Sequence, residues 1–563
     1  MESTIKYVIA IDIGTSYSGY AFNDNVENQR DPLSITLKSW QGGSNLSMKA
    51  PTVILFDKER NFHSFGNVAA KAYATALQKG EQSRYICVKG FKMNLYHEKK
   101  VSEDLLLEDT EGHTVDAMMV FTESIKSLKN DALADIRKRL SEIDEDQVTY
   151  VLTVPAIWRE PAKQFMRLAA EKGGIKSESL TIALESEVAA LYCRHLELGT
   201  VFGSGDKAIK RCFQPGGKYI IMDLGGGTVD TVVHTIDGKG DMIELFKSSG
   251  GPWGGEYVNA NFRKFIEATF GKEAAIKFKE TRPVDNFDLE QEFERKKRDL
   301  NTENDSVVRL KVPNRLKIFA NKQIEKNTVD NLYIEYEQFT SFFDPLIDKM
   351  IQHFKSISEE VGQIPLLILV GGFSESVYVQ ERVMQGLQNV KVLVPRESGL
   401  AVLKGAVLFG FNPGAVKMRR CRFTYGIGVR DPFDESIHPE EKLIIVENEK
   451  RCKDVFKILV HEGENVEFDQ VTESYLHSPH ASKERKNIQV TFPIYSSSRR
   501  NPSFVTDQGC SKLGEIILKP PENGWPALNK YTVKCKFGRT EIFVNVHDTT
   551  NDRKYDSTFD MLG

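Results

Sequence analysis

One motif occurs twice in this chain and constrains the fold more than any other feature. Near the start stands Tyr7-Val-Ile-Ala-Ile-Asp12-Ile-Gly14-Thr15-Ser16, and much later Tyr219-Ile-Ile-Met-Asp223-Leu-Gly225-Gly226-Gly227-Thr228. Each copy is a continuous apolar run of the kind that makes a strand buried on both faces. Each delivers one Asp and then bends through glycine to Thr. After each bend the chain resumes apolar and strand-like, in Tyr20-Ala-Phe and in Thr231-Val-Val-His. The expected unit is a β-hairpin with an acidic, glycine-containing bend, used once in each of two similar lobes that face one another.

Such bends carry recognisable chemistry. Backbone N–H groups in a glycine-rich bend converge on an anion without interference from Cβ. Gly225, Gly226, Gly227 and Thr228 suit a triphosphate, as do Gly14, Thr15 and Ser16 with fewer glycines. One Asp at each strand end, Asp12 and Asp223, suits Mg2+, which takes a few carboxylates and retains waters. Taken singly, each bend also reads as an ordinary tight hairpin. The same order on two lobes favours nucleotide binding, with two phosphate loops and one shared metal.

Between and after the two copies the patterning is mixed. Helical spacing runs from Val120 to Leu140, and Val148 to Pro155 reads as a strand entering a turn. Glu160–Gly173 and Ser186–Leu198 read as helices, and Gly199–Gly217 as a loop. A charged helical block spans Asp288–Leu300, and a strand, Ile364–Val370, ends in Gly371-Gly372. A closing helix, Gly399–Phe411, stops at Asn412-Pro413-Gly414, where Pro and Gly together break it. This predicts a nucleotide-binding domain over residues 1–413, with lobe I about 1–198 and lobe II about 218–411. Short alternating runs follow, among them Phe423–Arg430, Val455–Glu462, Ile488–Tyr495, Leu513–Lys519 and the pair Tyr531–Phe537 and Thr540–His547. Turn residues separate them, which predicts a β-sandwich over 414–548. Residues 549–563 read as a short polar tail with room for one short helix and no helical lid.

Composition excludes several classes. With 563 residues, 40% hydrophobic and 27% charged, the chain can bury several cores and is not globally disordered. Lys+Arg 75 against Asp+Glu 79 leaves a net charge of −4, so bulk electrostatics argue against a nucleic-acid binder. The 7 cysteines contain no C-x-x-C pair, which argues against a disulfide framework or zinc ribbon and for a reducing compartment. His477-Ser-Pro-His480 reads as part of a polar loop rather than a metal site. No apolar run approaches the ~18 residues that a membrane span needs, and Asp12 interrupts the run that starts at Tyr7. The expected location is the cytoplasm, with the nucleus compatible.

Several motifs together resemble the actin-like (ribonuclease H-like) ATPase fold and, within it, the heat shock 70 kDa protein family. Ile11 through Ser18 resembles the family's first phosphate loop, and Asp223 through Asp230 its second. Thr153-Val-Pro155-Ala156 and Ala183-Leu-Glu185 through Ala190 resemble its connecting segments. Gly254-Gly255-Glu256, Glu294 through Asn301 and Val370-Gly371-Gly372 resemble later parts of its nucleotide site. Leu518-Lys-Pro520-Pro521 and Phe543 through Asp548 resemble its peptide-binding sandwich. Phe91-Lys92-Met93, Ser249 through Gly255 and Thr424 through Val429 resemble the divergent heat shock 70 kDa protein 12 branch.

The resemblance implies roles for individual residues. Asp12 and Asp223 would hold Mg2+, and Gly14, Thr15, Ser16, Tyr17, Gly225, Gly226, Gly227 and Thr228 would contact phosphates of ATP or ADP. Lys92 would lie over the γ-phosphate, with Lys89 the competing lysine, and Glu185 would orient the attacking water. Glu294, Lys297 and Arg298 would touch the adenosine end, with Gly371, Gly372 and Phe373 at the base. Taken alone, the Arg295–Arg298 run reads as a solvated helix face. This chain departs from the pattern in having Phe373 and Glu375 beside the base, Gly399 before the closing helix, and Pro413 through Arg420 as its linker.

The implied function is an ATP-binding, chaperone-like protein with weak Mg-dependent ATPase activity. Its sandwich would bind protein or peptide clients, with co-chaperones or an exchange factor as partners. A nucleotide-gated scaffold that hardly hydrolyses ATP is the alternative. A small-molecule kinase of the same fold ranks third, because it leaves the sandwich without a task.

Overall fold

The computed structural model describes residues 6–42, 45–98, 100–139, 143–196, 207–302, 306–320, 331–480, 485–557 and 561–562. The repeated motif forms matching hairpins at the centres of two sheets. In the first sheet Tyr7–Asp12 pairs antiparallel with Tyr17–Asp24 and parallel with Val148–Val154, which pairs parallel with Leu180–Leu184. In the second, Lys218–Leu224 pairs antiparallel with Val229–Ile236 and parallel with Leu366–Val370.

Alternation along the two first strands explains why they are apolar throughout. Tyr7, Ile9 and Ile11 enter the lobe I core with the helices Ala117–Arg139 and Glu160–Lys172, while Val8 and Ala10 enter a core shared between the lobes. Ile220, Met222 and Leu224 likewise enter the lobe II core, and Tyr219 and Ile221 the shared one. The helices Glu185–His195 and Ala401–Phe411 fill that shared core and join the lobes. Among the described residues no helix is long and apolar enough to cross a membrane, and none of the seven cysteines is paired.

Several elements differ from the sequence reading. Part of the expected Gly199–Gly217 loop is a helix, Lys207–Cys212, of good helix formers that bury Cys212 in the shared core; residues 197–206 lie outside the described residues. The charged helix begins earlier, at Pro283, because proline suits a first helical turn. The closing helix begins at Ala401, after a 3-10 turn at Ser398–Leu400.

The largest difference is at the expected linker. Pro413–Ala415 makes only a single 3-10 turn, and Val416–Arg420 then joins the lobe II sheet, parallel to Met242–Gly251. Asn465–Glu467 pairs on its other side, so the seven-stranded sheet ends in a strand from the C-terminal region. Proline and glycine break the helix here without separating the domains, because Val416 packs into the shared core.

Beyond it, two antiparallel sheets close over one core. Five strands run in the order Leu443–Val446, Glu449–Val460, Thr424–Pro432, Val490–Ser497, Cys510–Leu518, and four in the order Val471–Pro479, Leu528–Lys536, Phe543–Asp548, Arg553–Ser557. Both sheets contribute to the core, through residues such as Ile427, Ile494, Val533 and Val546. Two strands of these two sheets escaped the sequence reading. Val471–Pro479 buries only Ser474 fully and so lacks an apolar stripe. His477 lies in that strand, not in a loop, and the buried His480 stacks on Trp525 with ring centroids 5.7 Å apart. Arg553–Ser557 turns the polar tail into an edge strand rather than a helix, and Leu562 then buries itself in the lobe I core.

Ion pairs and a side-chain-to-carbonyl bond fasten this region to lobe I. Arg419 grips Glu187 with bonds of 2.9 and 2.8 Å, and Arg167 grips Glu541 with two of 2.6 Å. Arg422 donates to the Ile157 carbonyl at 2.8 Å.

Candidate functional site

The first acidic bend is assembled by strand register. Asp12 ends its strand opposite Thr153, whose hydroxyl donates to Asp12 Oδ1 at 3.0 Å. Lys49 Nζ donates to Asp12 Oδ2 at 2.8 Å. Burial opposes ionisation of Asp12, but Lys49 and Lys92 outweigh it and hold its carboxyl below the usual range.

The second bend is electrostatically different. Asp223 lies opposite Asp230 across the hairpin. Burial, joined by the charges of Glu185 and Asp230, pushes the Asp223 carboxyl well above the usual range. Asp230 is pushed up by burial too, although it accepts from the Ile157 N–H at 2.8 Å. Its other oxygen, Oδ2, is buried without a hydrogen-bond partner among the described residues. Acidic groups held in this state favour an added cation.

The two bends meet face to face. A Cβ on Gly226 would lie 2.5 Å from Ser16 Oγ, and one on Gly227 would lie 2.7 Å from Thr15 Oγ1 and 2.3 Å from Met93 Sδ. Gly225 N–H closes the second bend on the Thr228 carbonyl at 2.9 Å. Gly254, Gly255 and Glu256 at the start of the helix Gly255–Phe270 donate to the carbonyls of Gly227, Gly225 and Gly226 at 3.2, 3.1 and 2.7 Å. The carbonyls of the glycine bend are thus tied to lobe II. In the first bend Gly14 N–H is held by Ser18 Oγ at 3.2 Å.

Beside the bends is a buried ion pair. Lys92 follows the strand Tyr85–Lys89 in a 3-10 turn, Phe91–Met93, and is 3% exposed. Its Nζ donates to Glu185 Oε1 at 2.5 Å and stands 5.8 Å from the Trp158 ring centroid. Burial disfavours the ammonium, but Glu185 and Asp12 outweigh it and keep Lys92 protonated. Glu185 opens the helix Glu185–His195, and burial pushes its carboxyl upward. The competing lysine, Lys89, is exposed and lies 6.0 Å from the Phe287 ring.

The remaining expected residues form a second group around Gly255. Lys297 is buried and donates to Glu294 Oε1 at 2.5 Å, Asn259 Oδ1 at 2.9 Å and the Gly255 carbonyl at 3.4 Å. The basic run is therefore only partly a solvated face. Arg298 is exposed and reaches across to lobe I, donating to the Tyr17 hydroxyl at 3.2 Å. Gly371 has φ 86° and approaches Asp223, where a Cβ would lie 2.2 Å from Oδ1. Gly372 opens the turn Gly372–Glu375. Phe373 is buried against Phe343, ring centroids 6.4 Å apart, with its edge toward Gly255.

Lys49, Thr153, Trp158 and Asp230 were not singled out as site residues from sequence. Asp230 had a signal, since it ends the second loop motif. Lys49 had none, because nothing local ties it to Asp12.

The residues fit a polyphosphate with a hydrated cation. The facing bends leave no room for side chains at Gly226 and Gly227, and the Asp230 carboxylate between them is buried and pushed toward its neutral form. Among the described residues no three His, Cys, Asp or Glu side chains converge as a metal cage. One carboxylate from each bend, Asp12 and Asp223, suits an ion that keeps most of its waters, as Mg2+ does.

The chain has relatives among known proteins. The family model for Hsp70 protein matches residues 8–410. The chain is similar to heat shock 70 kDa protein 12A of Mus musculus, 32% identical over 632 aligned positions that cover 100% of this chain and 92% of the relative. It is similar to heat shock 70 kDa protein 12B of Homo sapiens at 32% over 639 positions, with the same coverage of 100% and 92%. It is more distantly similar to chaperone protein DnaK of Psychrobacter cryohalolentis, at 25% over 413 positions, 69% of this chain and 60% of the relative.

Proposed function

This chain belongs to the Hsp70 protein family, and from that premise we propose that it is an ATP-binding, chaperone-like protein. Mg-ATP or Mg-ADP lies between the two lobes, and the C-terminal sheets form a β-sandwich that holds a peptide or protein client. The observation that carries the nucleotide reading is the meeting of the two acidic bends, with glycines wherever a side chain would block them.

Roles follow from position and charge. Gly14, Thr15, Ser16 and Gly225 through Thr228 bind the phosphates, and Tyr17 pairs with Arg298 at the mouth. Asp12 and Asp223 would hold Mg2+, which when bound supplies positive charge at the phosphates. Lys92 is the fixed cation that stabilises charge developing on the transferred phosphoryl group. Glu185, its carboxyl raised by burial, orients water and accepts its proton. Glu294, Lys297, Arg298, Gly371, Gly372 and Phe373 line the adenosine end. The reading divides the chain into a nucleotide-binding unit over about 1–413, a client-binding unit over about 414–548 and a tail. It places the protein in the cytoplasm with co-chaperones or an exchange factor as further partners.

Calorimetry with ATP and with ADP tests this. Wild type should bind both. Gly226→Val should lose about tenfold or more in affinity, roughly 1.4 kcal/mol, because its branched side chain collides with Ser16. Circular dichroism should show the variant folded. A wild type that binds neither nucleotide sinks the reading. Release of a labelled unfolded peptide, timed in ATP and in ADP, tests the client half; peptide that never binds removes it.

One observation favours the scaffold alternative. The C-terminal region is clamped to lobe I through Arg419–Glu187 and Arg167–Glu541, with Arg419, Glu187 and Arg167 buried and Glu541 only slightly exposed. Such a clamp resists the repeated release that fast turnover would demand. Slow or absent hydrolysis alongside firm nucleotide binding would select this reading.

A further inference from the structure

Ser249-Gly250-Gly251-Pro252-Trp253 leads directly into the Gly254–Glu256 turn that ties off the glycine bend. The strand Met242–Gly251 ends beside the second acidic hairpin, with Gly250 opposite Asp230 and Gly251 opposite Val229. Trp253 N–H then donates to the Gly251 carbonyl at 2.9 Å, and the indole folds back over Gly251, where a Cβ would lie 2.5 Å from Trp253 Cε2. Its ring meets His353 edge-on, with centroids 5.5 Å apart. His353 belongs to the lobe II helix Asp344–Val361, and its Nε2 lies 3.0 Å from Ser249 Oγ. Ser249, Trp253 and His353 thus close a ring of contacts between strand end, turn and helix. On the far side of the turn a Cβ on Gly254 would lie 2.6 Å from the Gly226 carbonyl, so turn and bend touch with no slack.

We propose that Trp253 is the positioning residue of the second phosphate bend: seated on His353, it fixes the turn whose N–H groups hold the carbonyls of Gly225, Gly226 and Gly227, and so aims the bend at the nucleotide phosphates. The consequence for binding rests on the nucleotide reading above, and the positioning rests on the contacts alone. Four of the seven residues from Gly250 to Glu256 are glycine, which by itself leaves the segment many conformations. Trp253 is the one large apolar side chain in it, a rigid one with two rotatable bonds, and it packs against the lobe II core. Backbone N–H groups bind phosphate best when aimed in advance, because a bend that the ligand must order weakens binding by the cost of ordering it. Ser249, Trp253 and His353 act through the bend rather than on the ligand.

Hydrogen exchange of the full chain without nucleotide, read by mass spectrometry, tests the positioning. In Trp253→Ala the amides of Gly254, Gly255 and Glu256 should exchange about tenfold or more faster than in wild type, while the lobe I hairpin Tyr7–Asp24 exchanges as before. Trp253→Phe should follow wild type, because a phenyl ring still meets His353. His353→Ala should reproduce Trp253→Ala, and the double variant should be no worse than either, as expected of residues that act as a unit. Calorimetry with ADP then reads the consequence: binding weaker by about tenfold or more in Trp253→Ala, and within about threefold of wild type in Trp253→Phe.

Unchanged exchange at Gly254–Glu256 in Trp253→Ala overturns the proposal. So does exchange that quickens equally in the lobe I hairpin, which would make Trp253 ordinary core packing, and so does full loss in Trp253→Phe. If Trp253→Ala fails to fold, His353→Ala, which leaves the indole and its core contacts, carries the same expectations. Faster exchange with unchanged ADP affinity overturns the link to the phosphates. Absence of ADP binding in wild type overturns the nucleotide reading instead, and the exchange measurement still decides the role of Trp253.

Discussion

Arg419→Ala should lower stability by about 3–5 kcal/mol, the usual result of stranding one partner of a buried ion pair. Arg419 donates through Nε and Nη2 to both oxygens of Glu187 and through Nη1 to the Gly538 carbonyl at 2.5 Å. The two side chains are 8% and 1% exposed, so water cannot take over the charge left behind. Glu187 lies in the first turn of its helix, where the dipole recovers part of the loss. Glu244 makes the loss worse. It is buried nearby, and burial together with the Glu187 charge pushes its carboxyl up to about 7. Because its folded pKa lies above the unfolded value, the folded state holds the extra proton between the two. Stability from this group therefore falls as pH rises from about 4.5 to about 7 and stays low above that. The Arg419→Ala deficit should accordingly be larger at pH 8 than at pH 5.

Urea unfolding of the full chain, followed by fluorescence, measures this. The double variant Glu187→Gln/Arg419→Met should recover most of the loss, because neither neutral side chain leaves an unpaired charge. A single variant within about 0.5 kcal/mol of wild type, the range of ordinary surface substitutions, would show that the clamp does not hold the regions together.

Lys92→Ala should slow single-turnover ATP cleavage by about 10²–10³-fold while changing ATP affinity far less. A fixed cation aimed at charge that develops during transfer acts mainly on the transition state. The ammonium is already in place, buried on Glu185 and over Trp158, so no rearrangement is needed at the moment of reaction. Its loss also leaves Glu185 without its partner, which raises that carboxyl further. Lys89→Ala should cleave near the wild-type rate, since that side chain stands exposed beside Phe287. Equal loss in both variants would mean that neither lysine acts at the phosphate. Firm ATP binding with no wild-type cleavage would select the scaffold reading.

The parts of the candidate site visible in the sequence are those whose signal is local. An apolar run, one Asp and a glycine bend are neighbours in the chain, and they reappear as matching hairpins at Asp12 and Asp223. The choice between Lys89 and Lys92 was not local. Both follow the same strand, and only the burial of one against a helix start nearly a hundred residues on separates them. The C-terminal strands were legible where one face is apolar. Val471–Pro479 and Arg553–Ser557 were not, because an edge strand with little buried surface needs no apolar stripe.

By itself the sequence determined two matching hairpins, each with an acidic bend, and a β-rich region after Asn412. Buried strands and glycine bends are each specified by neighbouring residues, and repetition made them unmistakable. Only the tertiary structure decided how these parts meet. Pro413–Arg420 reads as a linker by Pro413 and Gly414, but Val416–Arg420 lies on an open sheet edge whose unpaired backbone groups take up a strand. Arg419 finds Glu187, and Lys49 finds Asp12, across separations at which no residue pattern distinguishes one lysine or arginine from another. Charge pairing depends on distance in space and on exclusion of water, and both are set only once the sheets have closed.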